Sequence, residues 1–373
     1  MEQQIYFEQN ISSVADEVSR LRPKNVLVVT GSSSYETSGA TTIVDKLFGK
    51  YRLLFFSNFG VNPKVEDLQE GINLCRNVEI DIIVAIGGGS VIDMAKLIRS
   101  YMNCGMGLIE SVKSNKVLMG REIPFMVIPT TAGSGSESTH FAVIYIEGSK
   151  YSVSHASILP GYVLLAPSLT YGSPRYLTAC SGIDAFCQAV ESYWSVQSTE
   201  ESRNYAKEAI SLLWQYLPHA VENDLDARNK VMFAANLAGR AINISFTTVA
   251  HAYSYGLTTY AEIPHGHAVS LTLPYFFDLN MKVHPDNCND PRGAAFVREK
   301  MEELLVLLDC TVENAVKILS SFFQSIFGEK NNEAKEKITD DVKKQVALSV
   351  NLQRLQNNPA KISKGNIENI RFY

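Results

Sequence analysis

Four short apolar runs, each ending in a turn or a glycine-rich loop, constrain this chain more than any other feature. They are VLVV at 26–29, LLFF at 53–56, IIVAI at 82–86 and FMVI at 125–128. Strands that are apolar throughout need cover on both faces, and intervening helical patterns such as 65–75 can supply it. The alternation predicts βαβ units in a doubly wound, Rossmann-like parallel sheet. The stretch 141–146 reads as an added antiparallel strand. Past about residue 167, long helical patterns take over at 202–216, 226–244, 298–308 and 312–327. Pro167 and Pro174 lie at the change, so the expected division is an α/β domain over 1–166 and an all-α domain over 167–373. The charged segment 329–344 reads as a solvated helix or loop.

Composition narrows the partners. The 373 residues carry 34 Lys and Arg against 39 Asp and Glu, a net charge of −5. No basic surplus exists to coat a phosphate backbone, which argues against nucleic acid. No apolar run approaches the ~18 residues of a membrane span. The opening MEQQIYFEQNISSV has no basic segment leading into an apolar one. Six cysteines without a CxxC pair read as reduced thiols, and the expected location is cytoplasmic.

Two loops carry nucleotide-like chemistry. Gly87-Gly88-Gly89-Ser90 leaves the run at 82–86 and opens a helix. Ser90 is the expected N-cap, with Asp93 completing a capping-box-like pair. Such a helix start offers free N–H groups to a pyrophosphate, although a tight turn without a ligand fits equally well. Pro129-Thr130-Thr131-Ala132-Gly133-Ser134 follows the run at 125–128 and makes a second polar, close-approach surface where open sheets bind ligands.

A third constellation is metal-like. On a helix over 182–191, Asp184, Gln188 and Glu191 share one face. His251 and His265 lie downstream. One aspartate and two histidines can hold Fe²⁺ or Zn²⁺ and leave positions open for a substrate. Gln188 would be a fourth, weak oxygen ligand. Singly, each of these residues reads better as a hydrogen-bonded helix residue or a capping His. His140, His155, His219 and His284 are taken that way, and Cys187 as a small buried residue.

Together, GGGSVIDMAK (87–96), PTTAGSGSE (129–137), GIDAFCQAVE (182–191), AHAYSYGLTTYAEIPHGHA (250–268) and NNPAKIS (357–363) resemble the iron-containing (group III) alcohol dehydrogenases over nearly the whole chain. The resemblance implies a dehydroquinate synthase-like fold: a dinucleotide-binding domain, a helical metal domain, and an active site in the cleft between them. It implies Gly88, Gly89 and Ser90 at the pyrophosphate with Asp93 supporting that turn, Thr130, Thr131 and Ser134 lining the cofactor site, and Lys150 at the ribose. Asp184, His251 and His265 would bind the metal. Two positions depart from the family pattern. Gln188 stands where many members carry His, and Tyr255 stands where a His often follows the first histidine ligand by four residues. A proton relay would then use Tyr255, His267 or water. At Gly31-Ser32, after the 26–29 run, no carboxylate stands to repel a 2′-phosphate, so NADPH is expected as well as NADH.

Within the family, segments 28–35, 181–195, 241–245, 250–258 and 263–274 are most similar to phosphonoacetaldehyde reductases. The expected reaction is reduction of a small aldehyde to a primary alcohol, in its specific form phosphonoacetaldehyde to 2-hydroxyethylphosphonate, by a homodimer or larger homo-oligomer. The alternatives are a general alcohol or polyol dehydrogenase, a dehydroquinate-synthase-like non-redox enzyme, and a binding protein that has lost its metal through Gln188. No decisive anion site is legible. Read as one continuous helix, Arg240 lies about 16 Å from His251, with Asn243 and Thr247 nearer.

Overall fold

A computed structural model of the chain describes residues 3–104, 107–117, 122–350 and 355–373. They divide into two compact units, Met1–Ser173 and Pro174–Tyr373. In the first unit, β1 (Gln4–Phe7), β2 (Asn25–Thr30), β3 (Arg52–Phe56), β4 (Ile82–Gly87) and β5 (Phe125–Pro129) belong to one sheet, and β6 (Phe141–Ile146) and β7 (Ser149–Ser154) form an antiparallel pair. The last strand of the large sheet is β8 (Tyr162–Leu165). The order is β1-β8-β5-β4-β2-β3, with every pairing parallel.

The four apolar runs are β2 to β5, and 141–146 is the antiparallel strand expected. The sequence reading missed β1 and β8. β1 is an edge strand with no fully buried residue, so its sequence shows no apolar run. The strand entering Gly87-Gly88-Gly89 is therefore fourth in chain order, not third.

Side-chain alternation explains the layers. Along β2, β4 and β5, residues Val26, Val28, Ile82, Val84, Met126 and Ile128 pack with α1 (Ile11–Leu21) and, past the short α2 (Ser34–Thr37), with α3 (Ala40–Phe48). Leu27, Val29, Ile83, Ala85, Phe125 and Val127 face the other way, onto α4 (Val65–Cys75) and α5 (Gly89–Tyr101). A short α6 (Leu108–Lys113) follows. From β2 the chain runs outward to β3, then returns to β4 on the opposite side of β2. Strand order thus reverses between β2 and β4, and loops leaving their carboxyl ends open a crevice there.

The second unit is helical: α7 (Arg175–Trp194), α8 (Glu200–Ala220), α9 (Leu225–Ser245), α10 (Val249–Ala261), α11 (His265–Ser270), α12 (Leu273–Met281), α13 (Ala294–Leu307), α14 (Ala315–Phe327), α15 (Glu329–Glu336), α16 (Asp340–Ser349) and a short helix at Lys364–Glu368. Thr199, Asp224 and Thr339 cap α8, α9 and α16 with their side chains. α7 is central: every residue from Gly182 to Trp194 is buried. At Gly182 a Cβ would lie 2.3 Å from Leu217 Cδ1, so a larger residue would force that buried side chain of α8 to shift. Polar residues on such a helix must find partners inside the protein. The segment 329–344 is not simply solvated. It folds into α15 and part of α16, and Asn331 and Ala334 are buried.

α9 and α10 are separate helices, because Phe246 breaks the run with φ 57°. Arg240 and His251 therefore share no helix face. The Arg240 guanidinium lies over the Tyr205 ring at 4.1 Å and donates to its hydroxyl at 2.6 Å. Among the described residues, no helix is long and apolar enough to cross a membrane.

Candidate functional site

Three loops leave neighbouring strand ends in the first unit. Gly31 and Ser32 follow β2, Gly88 caps the start of α5 after β4, and Thr130 follows β5. The β5 loop is tied to the β4 loop, since Thr130 N donates to Gly87 O at 3.1 Å. A Cβ on Gly88 would sit 3.3 Å from Thr131 Oγ1, and one on Gly89 2.8 Å from Ser134 Oγ. The glycines therefore keep the two loops in contact as well as leaving backbone N–H groups approachable. Gly88 has no side chain capping it, and α5 runs thirteen residues behind it, so its N-terminus remains the positive end of a full helix. This cradle fits a dinucleotide phosphate.

The capping-box expectation fails here. The N-cap is Gly88, and Ser90 lies inside the helix, where its Oγ accepts from Asn62 N at 3.2 Å. Asp93 turns away from the α5 start to the second loop. It accepts from Ser136 Oγ at 2.6 Å and from Val143 N at 2.9 Å. Lys96, one turn further and fully buried, donates to Ser136 Oγ and Thr139 Oγ1, both at 3.1 Å, and to Phe141 O at 2.8 Å. Burial pulls the Lys96 ammonium down to about 8 against the attraction of Asp93 and Glu137. Burial likewise raises the Asp93 carboxyl, opposed by Lys96, Ser136, Val143 and Lys150. Lys150, expected at the ribose, is on β7 and near enough for its charge to act on Asp93. Lys96 was not singled out in the sequence, although it closes the GGGSVIDMAK motif.

The second unit gathers the metal-like residues. Asp184, His251 and His265 offer ligand atoms that all lie within 4.8 Å of one another. α7 supplies Asp184, α10 supplies His251, and His265 opens α11 after Pro264. His251 Nε2 is 3.2 Å and His265 Nε2 is 3.8 Å from the same Asp184 oxygen. Gly266 makes this approach feasible: a Cβ there would lie 2.0 Å from Cys180 O and 2.9 Å from Asp184 Cβ. Each histidine is held by its other nitrogen. Glu191 Oε2 meets His251 Nδ1, and Ser254 Oγ lies 3.3 Å from His265 Nδ1. Both Nε2 atoms are thereby directed toward Asp184. Gln188, buried one turn beyond Asp184, hydrogen-bonds to it.

Electrostatics match this arrangement. Burial would raise Asp184, but His265, His251 and Gln188 outweigh it and hold the carboxyl below its usual range. Burial would lower His251, yet Glu191 and Asp184 lift it to about 10. A buried carboxylate facing two imidazole nitrogens is a donor set of one oxygen and two nitrogens, which fits Fe²⁺ or Zn²⁺. His265 is the accessible member, with a third of its side chain exposed.

The two relay candidates fall differently. Tyr255 stacks on His265 with ring centroids 5.2 Å apart and planes 3° from parallel. His267 has both ring nitrogens engaged, one 3.0 Å from Tyr176 Oη and the other 3.1 Å from Asn331 Oδ1, and it stacks on Phe327 at 3.8 Å. Burial drives it down to about 4, helped by Lys335 and Lys337 against the Asn331 bond. Glu191 and Ser254 are the functional side chains that sequence reasoning left without their roles. Their spacing from Asp184 and His251, seven and three residues, was the available signal.

Comparison with known proteins agrees with this geometry. Residues 2–167 match the family described as iron-containing alcohol dehydrogenase, and residues 178–371 its C-terminal domain. Probable alcohol dehydrogenase EutG of Escherichia coli is 34% identical over 225 residues, 59% of this chain and 57% of that protein. Phosphonoacetaldehyde reductase of Streptomyces viridochromogenes is 34% identical over 257 residues, 66% of this chain and 65% of that protein. The matches thus span less than two thirds of these curated relatives. Among solved structures, sulfoacetaldehyde reductase from Bifidobacterium kashiwanohense in complex with NAD⁺ superposes with a TM-score of 0.84 at 26% identity, covering 98% of this chain and 95% of that one. An iron-containing alcohol dehydrogenase from Thermotoga maritima gives 0.82 at 27% identity, covering 99% and 96%.

Two outcomes follow from the buried groups. Lys96→Met removes the buried cation that attracts Asp93 and Glu137 and is expected to cost about 3–5 kcal/mol, read as a lower urea midpoint by far-ultraviolet circular dichroism. His267 has a folded pKa below its unfolded value. Its contribution is complete above about pH 6.5 and lost as pH falls toward 4, by roughly 3 kcal/mol at about 1.4 per unit. The acid-side drop in melting temperature should be smaller in His267→Gln than in the parent chain.

Proposed function

The chain belongs to the iron-containing alcohol dehydrogenase family, and on that premise we propose that it reduces a small aldehyde to a primary alcohol with NADPH or NADH at a metal held by Asp184, His251 and His265. The observation that carries this is the convergence of those three side chains from three separate helices. When bound, the metal supplies Lewis acidity toward the carbonyl oxygen and the nicotinamide supplies hydride. The chain's own residues do the rest. Asp184 and the two Nε2 atoms set the ligand geometry, and Gln188 steadies Asp184 through its hydrogen bond. As a neutral amide, Gln188 would add at most a weak oxygen ligand. Tyr255, stacked beside His265, is the favoured group for passing a proton to the product oxygen. His267, with both nitrogens occupied, is not. In the first unit, Gly88, Gly89 and Ser90 would cradle the pyrophosphate, with Gly31, Ser32, Thr130, Thr131 and Ser134 around it. Asp93 acts one step back by holding the second loop, and Lys150 would reach the ribose.

For the substrate we favour a two-carbon aldehyde bearing an anionic group, phosphonoacetaldehyde first. Two relatives support this class by name, one a phosphonoacetaldehyde and one a sulfoacetaldehyde reductase. A second reading, a general alcohol dehydrogenase, is favoured by the similarity to EutG and by Arg240, whose guanidinium is committed to Tyr205. The working form in either case would be a homodimer or larger homo-oligomer.

A panel of phosphonoacetaldehyde, succinic semialdehyde and butyraldehyde, each with NADPH and NADH, and of glycerol with NADP⁺ and NAD⁺, separates the readings. Stoichiometric cofactor oxidation with phosphonoacetaldehyde is expected. Preference for butyraldehyde or glycerol supports the general dehydrogenase, and turnover without cofactor oxidation supports a non-redox enzyme. His265→Ala should lower kcat/KM by about 10³-fold, the several kcal/mol of a lost Lewis acid. Activity near that of the parent chain would remove the metal from the reaction.

A further inference from the structure

Glu191 has no solvent exposure and lies seven residues beyond Asp184 on α7. Its Oε1 accepts from Thr248 N at 3.2 Å, Ala250 N at 2.9 Å and His251 N at 3.4 Å, and from the Thr248 hydroxyl. Its Oε2 faces the His251 ring, at Nδ1. The Thr248 hydroxyl in turn accepts from Trp194 Nε1 at 3.0 Å. The N-cap residue Thr248 makes no side-chain cap on α10, and a carboxylate from another helix accepts from its first N–H groups instead. One oxygen would suffice for that. The second oxygen is spent on the imidazole.

We infer that Glu191 is the positioning residue of the metal centre, which keeps the proton of His251 on Nδ1 and leaves Nε2 as the nitrogen that binds the ion. The inference rests on reading Asp184, His251 and His265 as that centre. One carboxylate thus sets both the position of α10 and the tautomer of the ligand it carries. A glutamine cannot do both. With its amide oxygen toward the backbone N–H groups, its NH₂ faces Nδ1, and the proton is forced onto Nε2. With the amide turned over, its NH₂ meets the backbone donors at the start of α10.

The test uses the full chain stripped of metal and titrated with Zn²⁺ in competition with a chromophoric chelator. Glu191→Gln should bind Zn²⁺ about 10- to 100-fold more weakly than the parent chain. Affinity equal to the parent's overturns the inference and leaves the metal centre intact. A parent chain that takes up no Zn²⁺ overturns both. A measurement on the parent chain alone covers the case in which the variant does not fold. In the Zn²⁺-loaded protein labelled with ¹⁵N-histidine, the His251 resonances should show a protonated Nδ1 and a metal-bound Nε2. A metal-bound or unprotonated Nδ1 overturns the inference.

Discussion

A carboxylate buried on a helix with no solvent along most of its length needs compensation from within the protein. Asp184 finds it in two imidazoles delivered by other helices, at 3.2 and 3.8 Å from one oxygen. Much of the second unit serves that meeting. Glycine at 182 leaves room for Leu217 of α8, glycine at 266 brings α11 against α7, and Glu191 pins the start of α10. Asn357 extends the support. It donates to Ser245 O at 2.9 Å and Thr247 O at 3.0 Å, holding the linker that leads from α9 into α10, and accepts from Ser195 Oγ at 2.9 Å, just past α7. The NNPAKIS ending is thus a brace for the histidine-bearing helix.

The first unit solves a different problem. Its three loops must stay close to one another and still present backbone. Small residues allow the closeness, and the Asp93–Ser136–Lys96 network behind them supplies the rigidity. That network lies inside the fold, where three acceptors surround the Lys96 ammonium. Backbone on the outer side and charge on the inner side is a division of labour that a polar surface loop would not achieve.

What the sequence disclosed depended on how local the cause was. β2, β4 and β5 were readable because each is buried on both faces, β3 because its run LLFF is apolar although it is an edge strand with only Phe56 buried, and the helix over 65–75 because its periodicity is strong. β1 was not, since an edge strand needs no apolar run. The proposed ligands Asp184, His251 and His265 were legible in the motifs, because a metal demands particular atoms. The role of Glu191 was hidden: helix spacing placed it on the right face, but its partners come from 57 or more residues away. The expected Ser90 cap failed for a related reason. Local spacing suited a capping box, but Asn62 and Ser136, brought by the tertiary fold, took both side chains. Arg240 and His251 lie on two helices, because the positive φ of Phe246 divides a run that is continuous in sequence pattern.

The contact at Gly266 sets a limit on how this centre can diversify. Main chain abuts main chain there, so α11 cannot slide or tilt to suit a larger ion or a new ligand without disturbing α7. Variation at Gln188, beside Asp184, would change what is offered to a cation while the three proposed donors stay put, so such a centre could change its chemistry without redrawing its architecture.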